Sequence, residues 1–419
     1  MLAGFIFCAL VGYYLLDSVA KLLNLRRLGH RVPDEFADVF DASRYQRAQD
    51  YARVNTWFEL TVSTISLIAL LLFWSLRGFE ILDLWIRGFQ FPPVLAGLFY
   101  FGALGVAREL FSLPFEIYHT FVIEERYGFN RTKWSTFVGD HLKQWVISGV
   151  LLGGLLALVL SLFEKFATSA WLIAWICVAA VSIFVTYLAP TMLLPLFFKF
   201  SPLPEGELRD RVTELCRQQK FPMRELLVID GSRRSSKANA FFTGFGANKR
   251  IALYDTLIQN HTVPELVAVL AHEIAHYKKR HIVQHFLFAQ LNLFLLFGAA
   301  SLCVSRPELL EAFGVSHPSY YVGLALFFIL VQPAAVLIGV LSNFWSRRHE
   351  FEADHFAAES LHDPDPLITA LKKLSRDSLS NLSPHPLLVG LHYSHPPVSE
   401  RIAALRRFFS DVAAQRARG

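Results

Sequence analysis

Hydrophobic residues in this chain gather into long unbroken runs separated by charged stretches, instead of alternating at the short periods of amphipathic surface elements. Seven runs are long and apolar enough for a helix to cross a bilayer, which takes about 20 residues each. They cover approximately 2–23, 57–76, 93–115, 145–163, 170–198, 282–304 and 320–344. The first lacks a basic segment ahead of its apolar stretch, and Asp17 followed by Lys21 makes a poor cleavage region, so it reads as a retained span. Between the fifth and sixth runs lies the one long hydrophilic insertion. Within it, residues 205–219 have helical periodicity and Glu225-Leu226-Leu227-Val228-Ile229-Asp230 reads as a short buried strand. The segments 239–245 and 249–254 then pair as a β-hairpin turning near residues 246–248. The pattern predicts a mainly α, polytopic membrane protein with about seven spans and a small domain that contains a short hairpin.

Composition agrees. Of 419 residues, 53% are hydrophobic and only 18% charged, so lipid is the solvent for much of the chain. Basic residues then set an orientation. Arg26, Arg27, Arg31, Arg44, Arg47 and Arg53 crowd the first loop, whereas the second has only Arg77 and Arg87. The third carries Arg126, Arg131, Lys133 and Lys143, the fourth only Lys165. The long fifth loop is dense in Lys and Arg, the sixth has only Arg306, and the C-terminal tail is basic again. This alternation predicts an N-terminus outside, with the long insertion and the tail cytoplasmic. It also accounts for the net charge of +5 without a nucleic-acid partner. Cys8, Cys177 and Cys303 sit in predicted spans and only Cys216 lies outside them; with no CxxC, neither a disulfide framework nor a thiolate metal site is indicated.

The chemistry centres on His272-Glu273-Ile274-Ala275-His276. On a helix the two histidines lie one turn apart on one face, where both can hold one zinc ion. Glu273 is then placed as general base for a water that zinc activates. Pro264-Glu265 can open this helix, and Leu266, Val267, Val269 and Leu270 give it a buried face. The hairpin before it offers an edge strand that can hold an extended peptide beside the metal, or a small sheet that only supports the helix. A catalytic zinc needs a third protein ligand. The pattern with a third His after a Gly turn fails, because Lys279 and Ile282 occupy those positions. His281 lies about 500° round a continuous helix from His276, which places it on the surface or behind the ligand face. Glu350 and Asp354 are better candidates: four residues apart, just past the seventh run, they share one helical face while Glu352 points nearly opposite. One carboxylate can bind zinc and the other can hold the N–H of a ligand imidazole.

Together these segments resemble the CAAX prenyl protease 1 family of integral-membrane zinc endopeptidases. The resemblance rests on HEIAH, on Ser346-Arg347-Arg348-His349-Glu350-Phe351-Glu352-Ala353-Asp354 and on His392-Tyr393-Ser394-His395-Pro396-Pro397. It extends to Tyr118-His119-Thr120-Phe121-Val122-Ile123-Glu124-Glu125-Arg126-Tyr127-Gly128-Phe129-Asn130 and Lys237-Ala238-Asn239-Ala240-Phe241-Phe242. It implies seven helices enclosing a chamber, with the zinc domain closing one end, and one Zn²⁺ held by His272, His276 and Glu350. It further implies catalytic roles for Glu273, for His395 near the developing oxyanion and for Asp354, and substrate binding by Asn239 and Ala240. On the residues alone, Asn239 could be a turn residue and His395 part of a rigid Ser-His-Pro-Pro loop. Arg108, Glu109 and Glu116 would face the chamber or form an interhelical ion pair.

The resulting expectation is a zinc endopeptidase acting on prenylated CAAX-type or other membrane-associated peptides. A membrane-protein quality-control protease is the alternative, ahead of a seven-span transporter or an inactive receptor. The expected division is 1–198 for spans one to five, 199–281 for the domain with the substrate strand and the HEIAH helix, 282–344 for spans six and seven, and 345–419 for the part completing the zinc site. Expected partners are a peptide or protein substrate, prenylated or not, and the bilayer, with no nucleic acid; the oligomeric state is left open, a monomer being compatible with the sequence. With no endoplasmic reticulum retrieval signal in the last residues, the plasma (inner) membrane of a bacterium is expected over the endoplasmic reticulum.

Overall fold

The computed structural model describes all residues except His30, 167–168, 244–248 and 417–419. In chain order it forms α1 (Leu2–Arg27), α2 (Ala42–Ser75), α3 (Gly78–Arg87), α4 (Pro93–Tyr118), α5 (Trp134–Phe166) and α6 (Ala170–Leu188). A mixed segment follows: β1 (Phe200–Pro202), α7 (Glu207–Gln218), β2 (Met223–Ile229), β3 (Ala240–Thr243), β4 (Lys249–Tyr254), α8 (Asp255–Asn260) and α9 (Val263–Lys278). The chain ends with α10 (His281–Cys303), α11 (Pro307–Ala312), α12 (Tyr320–Leu361), α13 (Asp365–Asp377), α14 (Pro386–His392) and α15 (Val398–Arg416).

Seven of the described helices are long and apolar enough to cross a membrane, built on α1, α2, α4, α5, α6, α10 and α12. Several run well past the apolar windows read from sequence. Helix α2 starts at Ala42, where the Asp41 carboxylate accepts from the Arg44 amide at 2.8 Å, and α12 continues to Leu361. Hydropathy marks only the part of a helix that lies in lipid, whereas backbone hydrogen bonding continues into the polar turns beyond. That extension matters for function, because it carries Glu350 and Asp354 out of the span on a rigid rod.

Loop contacts sort onto two opposite ends. At one end the second and sixth loops meet: Arg77 Nη2 donates to Gly314 O at 2.7 Å, and Glu80 Oε2 accepts from Ser316 N at 2.9 Å. At the other end the first, third and fifth loops join the C-terminal part. Lys237 Nζ meets Glu124 Oε2 at 2.8 Å, Arg234 grips Asp140, Lys372 lies 3.0 Å from Glu35, and Asn381 contacts Asn24. This partition follows from seven consecutive spans running in alternating directions. Within the bundle, Glu109 accepts from Trp145 Nε1 at 2.8 Å and Glu116 meets His141 Nε2 at 3.1 Å, so both carboxylates tie α4 to α5. Among the described residues no ion pair joins Arg108 to either of them.

The insertion folds into a four-stranded sheet of order β1-β2-β4-β3. Strands β3 and β4 form the expected antiparallel pair, from Ala240 opposite Leu253 to Thr243 opposite Arg250, while the expected turn at 246–248 lies outside the described residues. Strand β2 runs parallel to β4, and β3 is left as an edge strand that packs against α9. Helix α9 begins with a capping box: Thr262 N donates to Glu265 Oε2 at 2.9 Å, and the Thr262 side chain accepts in return. Its apolar face, with Leu266, Ala268, Leu270, Ala271, Ile274 and Ala275 all buried, seats it among α7, α12 and α13. Full burial of each leucine contributes about 1.5–3 kcal/mol, so α9 is held as part of a core and its polar face is fixed with it.

Candidate metal centre

Two rigid helices build the site. Helix α9 places His272 and His276 one turn apart, and α12 crosses it with Glu350 and Asp354 one turn apart and buried. The ligand atoms of His272, His276 and Glu350 all lie within 4.8 Å of one another. The two Nε2 atoms are 3.2 Å apart, His276 Nε2 is 3.4 Å from Glu350 Oε1, and His272 Nε2 is 3.5 Å from Glu350 Oε2. Asp354 does not join this triangle. Its Oδ1 sits 2.9 Å from His272 Nδ1, on the far side of that ring. The two carboxylates that sequence spacing could not tell apart are thus told apart by which ring nitrogen each one meets.

Electrostatics suit a cation. Burial alone works against protonation of His272, but the carboxylates of Asp354 and Glu350 outweigh it and push its pKa up to about 9. Burial and the charge on His272 push His276 down to about 3, leaving it a neutral imidazole with a lone pair. Glu350 Oε2 is buried and, among the described residues, has no donor aligned on it, although Arg401 Nη1 lies 3.3 Å away. Two imidazole nitrogens and a carboxylate converging on one point, with a buried oxygen lacking a hydrogen bond, fit a metal with three protein ligands and one open position.

Other expected residues gather here as well. Glu273 follows His272 on α9 and lies within electrostatic reach of His272, Glu350 and Arg401; burial pushes its carboxyl above the usual range, partly offset by the charge on His272. His395 reaches in from the loop after α14, its Nε2 3.4 Å from Glu350 Oε1, with most of the ring exposed. Asn239 stands immediately before β3, where its carbonyl accepts from Tyr254 N at 3.0 Å and its side-chain oxygen from Ala240 N at 2.9 Å. Ala240 begins the edge strand itself. A cavity of about 880 Å³, walled by residues of α1, α2, α13 and α14, opens onto His395 and Arg401.

Two features were not legible from spacing. Arg401, on α15, is buried and grips Asp354 with two bonds, Nε to Oδ2 at 2.7 Å and Nη2 to Oδ1 at 2.6 Å. An arginine on an amphipathic helix looks solvated in sequence, and nothing short of the fold points to this contact. His281 takes the place behind the ligand face and not the surface one, but not along a continuous helix, because α9 and α10 are separate. Arg280 between them has φ 59°, the chain turns sharply, and His281 Nδ1 comes back to 3.1 Å from His276 Nδ1. His281 is 1% exposed, and its Nε2 meets Glu352 Oε2 at 3.3 Å, so Glu352 reaches the site through an intermediary although it is no ligand.

Comparison with known proteins gives the family of the chain. Residues 21–199 match the CAAX prenyl protease N-terminal region of five membrane helices, and residues 202–408 match peptidase family M48. The chain is 32% identical over 403 residues to a protein from Arabidopsis thaliana described as CAAX prenyl protease 1 homolog, with 94% of each chain covered. It is 34% identical over 426 residues to a probable CAAX prenyl protease 1 of Schizosaccharomyces pombe, covering 96% of this chain and 89% of that one. The crystal structure of S. mikatae Ste24p superposes with a TM-score of 0.89 at 30% identity, over 96% of this chain and 98% of that chain.

Proposed function

The chain belongs to peptidase family M48 and is a multi-pass membrane metalloprotease, and on that premise we propose that its metal is zinc, held by His272, His276 and Glu350, and that it cleaves prenylated CAAX-type peptides. The observation that carries the reading is the convergence of those three ligand atoms beside Glu273 on crossed helices. A zinc ion held by these residues would supply Lewis acidity and would lower the pKa of a water toward ~7. Glu273 takes the proton of the attacking water and passes it to the leaving amine. Asp354, itself fixed by Arg401, holds His272 through Nδ1 so that Nε2 is turned toward His276 and Glu350, where it would meet the metal. Asn239 and the free edge of β3 offer backbone groups to an extended peptide. The test is hydrolysis by the purified protein of one peptide with and without a farnesyl group. Preferential cleavage of the prenylated form is expected, and equal rates would remove the prenyl specificity while leaving the peptidase.

His395 is proposed to donate to the developing oxyanion, since its Nε2 is aimed at the ligand cluster from an exposed loop. His395→Ala should retain metal and melting temperature and lower kcat by about 10²-fold or more, with a smaller change in KM. A ring that only stiffens the loop would instead lower the melting temperature, with the rate per metal-loaded molecule unchanged.

The metal domain is proposed to be cytoplasmic, on the strength of the basic-loop alternation and of the grouping of those same loops at one end of the bundle. Single-cysteine reporters in the second and sixth loops should react with an impermeant reagent applied to intact cells, and one in the first loop should not. The opposite labelling would invert the orientation.

A further inference from the structure

Behind His276 lies a cluster of imidazoles that peptide hydrolysis by itself does not call for. His276 Nδ1 is 3.1 Å from His281 Nδ1, and His281 Nε2 is 3.3 Å from Glu352 Oε2. The His281 ring stacks on His349 with centroids 3.9 Å apart and planes 6° from parallel. His349 is itself held at both nitrogens, by His285 Nε2 at 3.1 Å and Gln284 Oε1 at 3.1 Å. His281 and His349 are both buried.

Hydrogen bonding fixes the protons along this chain of groups. If His276 Nε2 gives its lone pair to the metal, the single proton of the neutral ring is on Nδ1, which must donate. His281 Nδ1 must then accept, so the His281 proton is on Nε2 and goes to the Glu352 carboxylate. The other side agrees: Gln284 Oε1 can only accept, so His349 Nε2 carries a proton and His349 Nδ1 accepts from His285. With each ring neutral, every assignment is consistent with the next.

We propose that His281, oriented by Glu352 and by its stack on His349, is a positioning residue that fixes the tautomer and ring plane of His276 for metal binding. The inference rests on the reading of His272, His276 and Glu350 as a metal site. It makes the two histidine ligands unequal: His272 is backed by the carboxylate of Asp354, His276 by a neutral imidazole whose basicity is raised at one remove by Glu352. The arrangement reaches across three elements, because His281 and His285 come from α10, Glu352 and His349 from α12, and His276 from α9.

The test uses the full-length protein and two substitutions. His281→Phe keeps a ring to stack on His349 but removes the acceptor; Glu352→Ala leaves His281 in place and removes its anchor. Zinc dissociation into a chelator should quicken by about 10–100-fold in His281→Phe, the usual loss for an outer partner, and by less in Glu352→Ala. The visible spectrum of the cobalt(II)-substituted protein should shift in both variants, since the geometry and donor strength of His276 change. The double variant should match His281→Phe, because the two act in series. An unchanged zinc off-rate and an unchanged cobalt spectrum in His281→Phe would overturn the proposal. If that variant fails to fold, Glu352→Ala decides, and wild-type values there would also overturn it. A wild-type protein that binds neither zinc nor cobalt would bring down the site reading together with this inference.

Discussion

Glu273→Gln should retain zinc at wild-type occupancy and lose peptide hydrolysis by about 10²–10⁴-fold, the contribution of a positioned general base. The side chain lies next to His272 in sequence but is not among the converging ligand atoms, so the metal does not depend on it. Glutamine keeps the volume and one acceptor oxygen, and it removes only the capacity to take a proton. Burial lifts the carboxyl above its ordinary range, which raises its proton affinity as a base. Elemental analysis and single-turnover rates on one preparation check both halves. Metal loss, or turnover that persists, would reassign the base.

Glu350→Ala is expected to abolish metal binding and hydrolysis together, a larger loss than the ~10–100-fold that follows removal of an outer partner. Glu350 supplies the carboxylate of the ligand triangle and is also approached by Arg401 and His395. Its removal leaves a buried guanidinium and two imidazoles facing each other with one negative charge fewer. Asp354 cannot replace it, since both of its oxygens are taken by Arg401 and it faces the opposite nitrogen of His272. The readout is metal per chain by elemental analysis beside the rate of peptide hydrolysis. A Glu350→Ala protein that keeps stoichiometric metal would move the third ligand elsewhere.

How far the sequence alone could go depends on the kind of signal each feature leaves. The spans were legible because lipid demands runs of apolar residues, and their number and order match the helices found. HEIAH was legible because α9 is one continuous helix, so residue spacing translates directly into geometry. The pairing of Glu350 with Asp354 was legible for the same reason, since α12 continues unbroken from the membrane through Asp354. Which carboxylate meets which nitrogen depends on how α12 crosses α9, and no local pattern records a crossing angle. Arg401 escaped because its partner is 47 residues away on another helix. Of the two places spacing left open for His281, the structure takes the one behind the ligand face, and it does so through a joint that the wheel argument did not contain, since Arg280, in the left-handed region, ends one helix and starts another. Local rules held within elements and failed at the joints between them.

The account is tested most directly by following cleavage of a farnesylated CAAX peptide by mass spectrometry before chelation, after complete metal removal and after stoichiometric zinc is returned. Cleavage should stop with the metal gone and recover on zinc addition in the wild type, with no recovery in Glu350→Ala. Cleavage that survives metal removal, or that zinc restores to the Glu350→Ala protein, would contradict it.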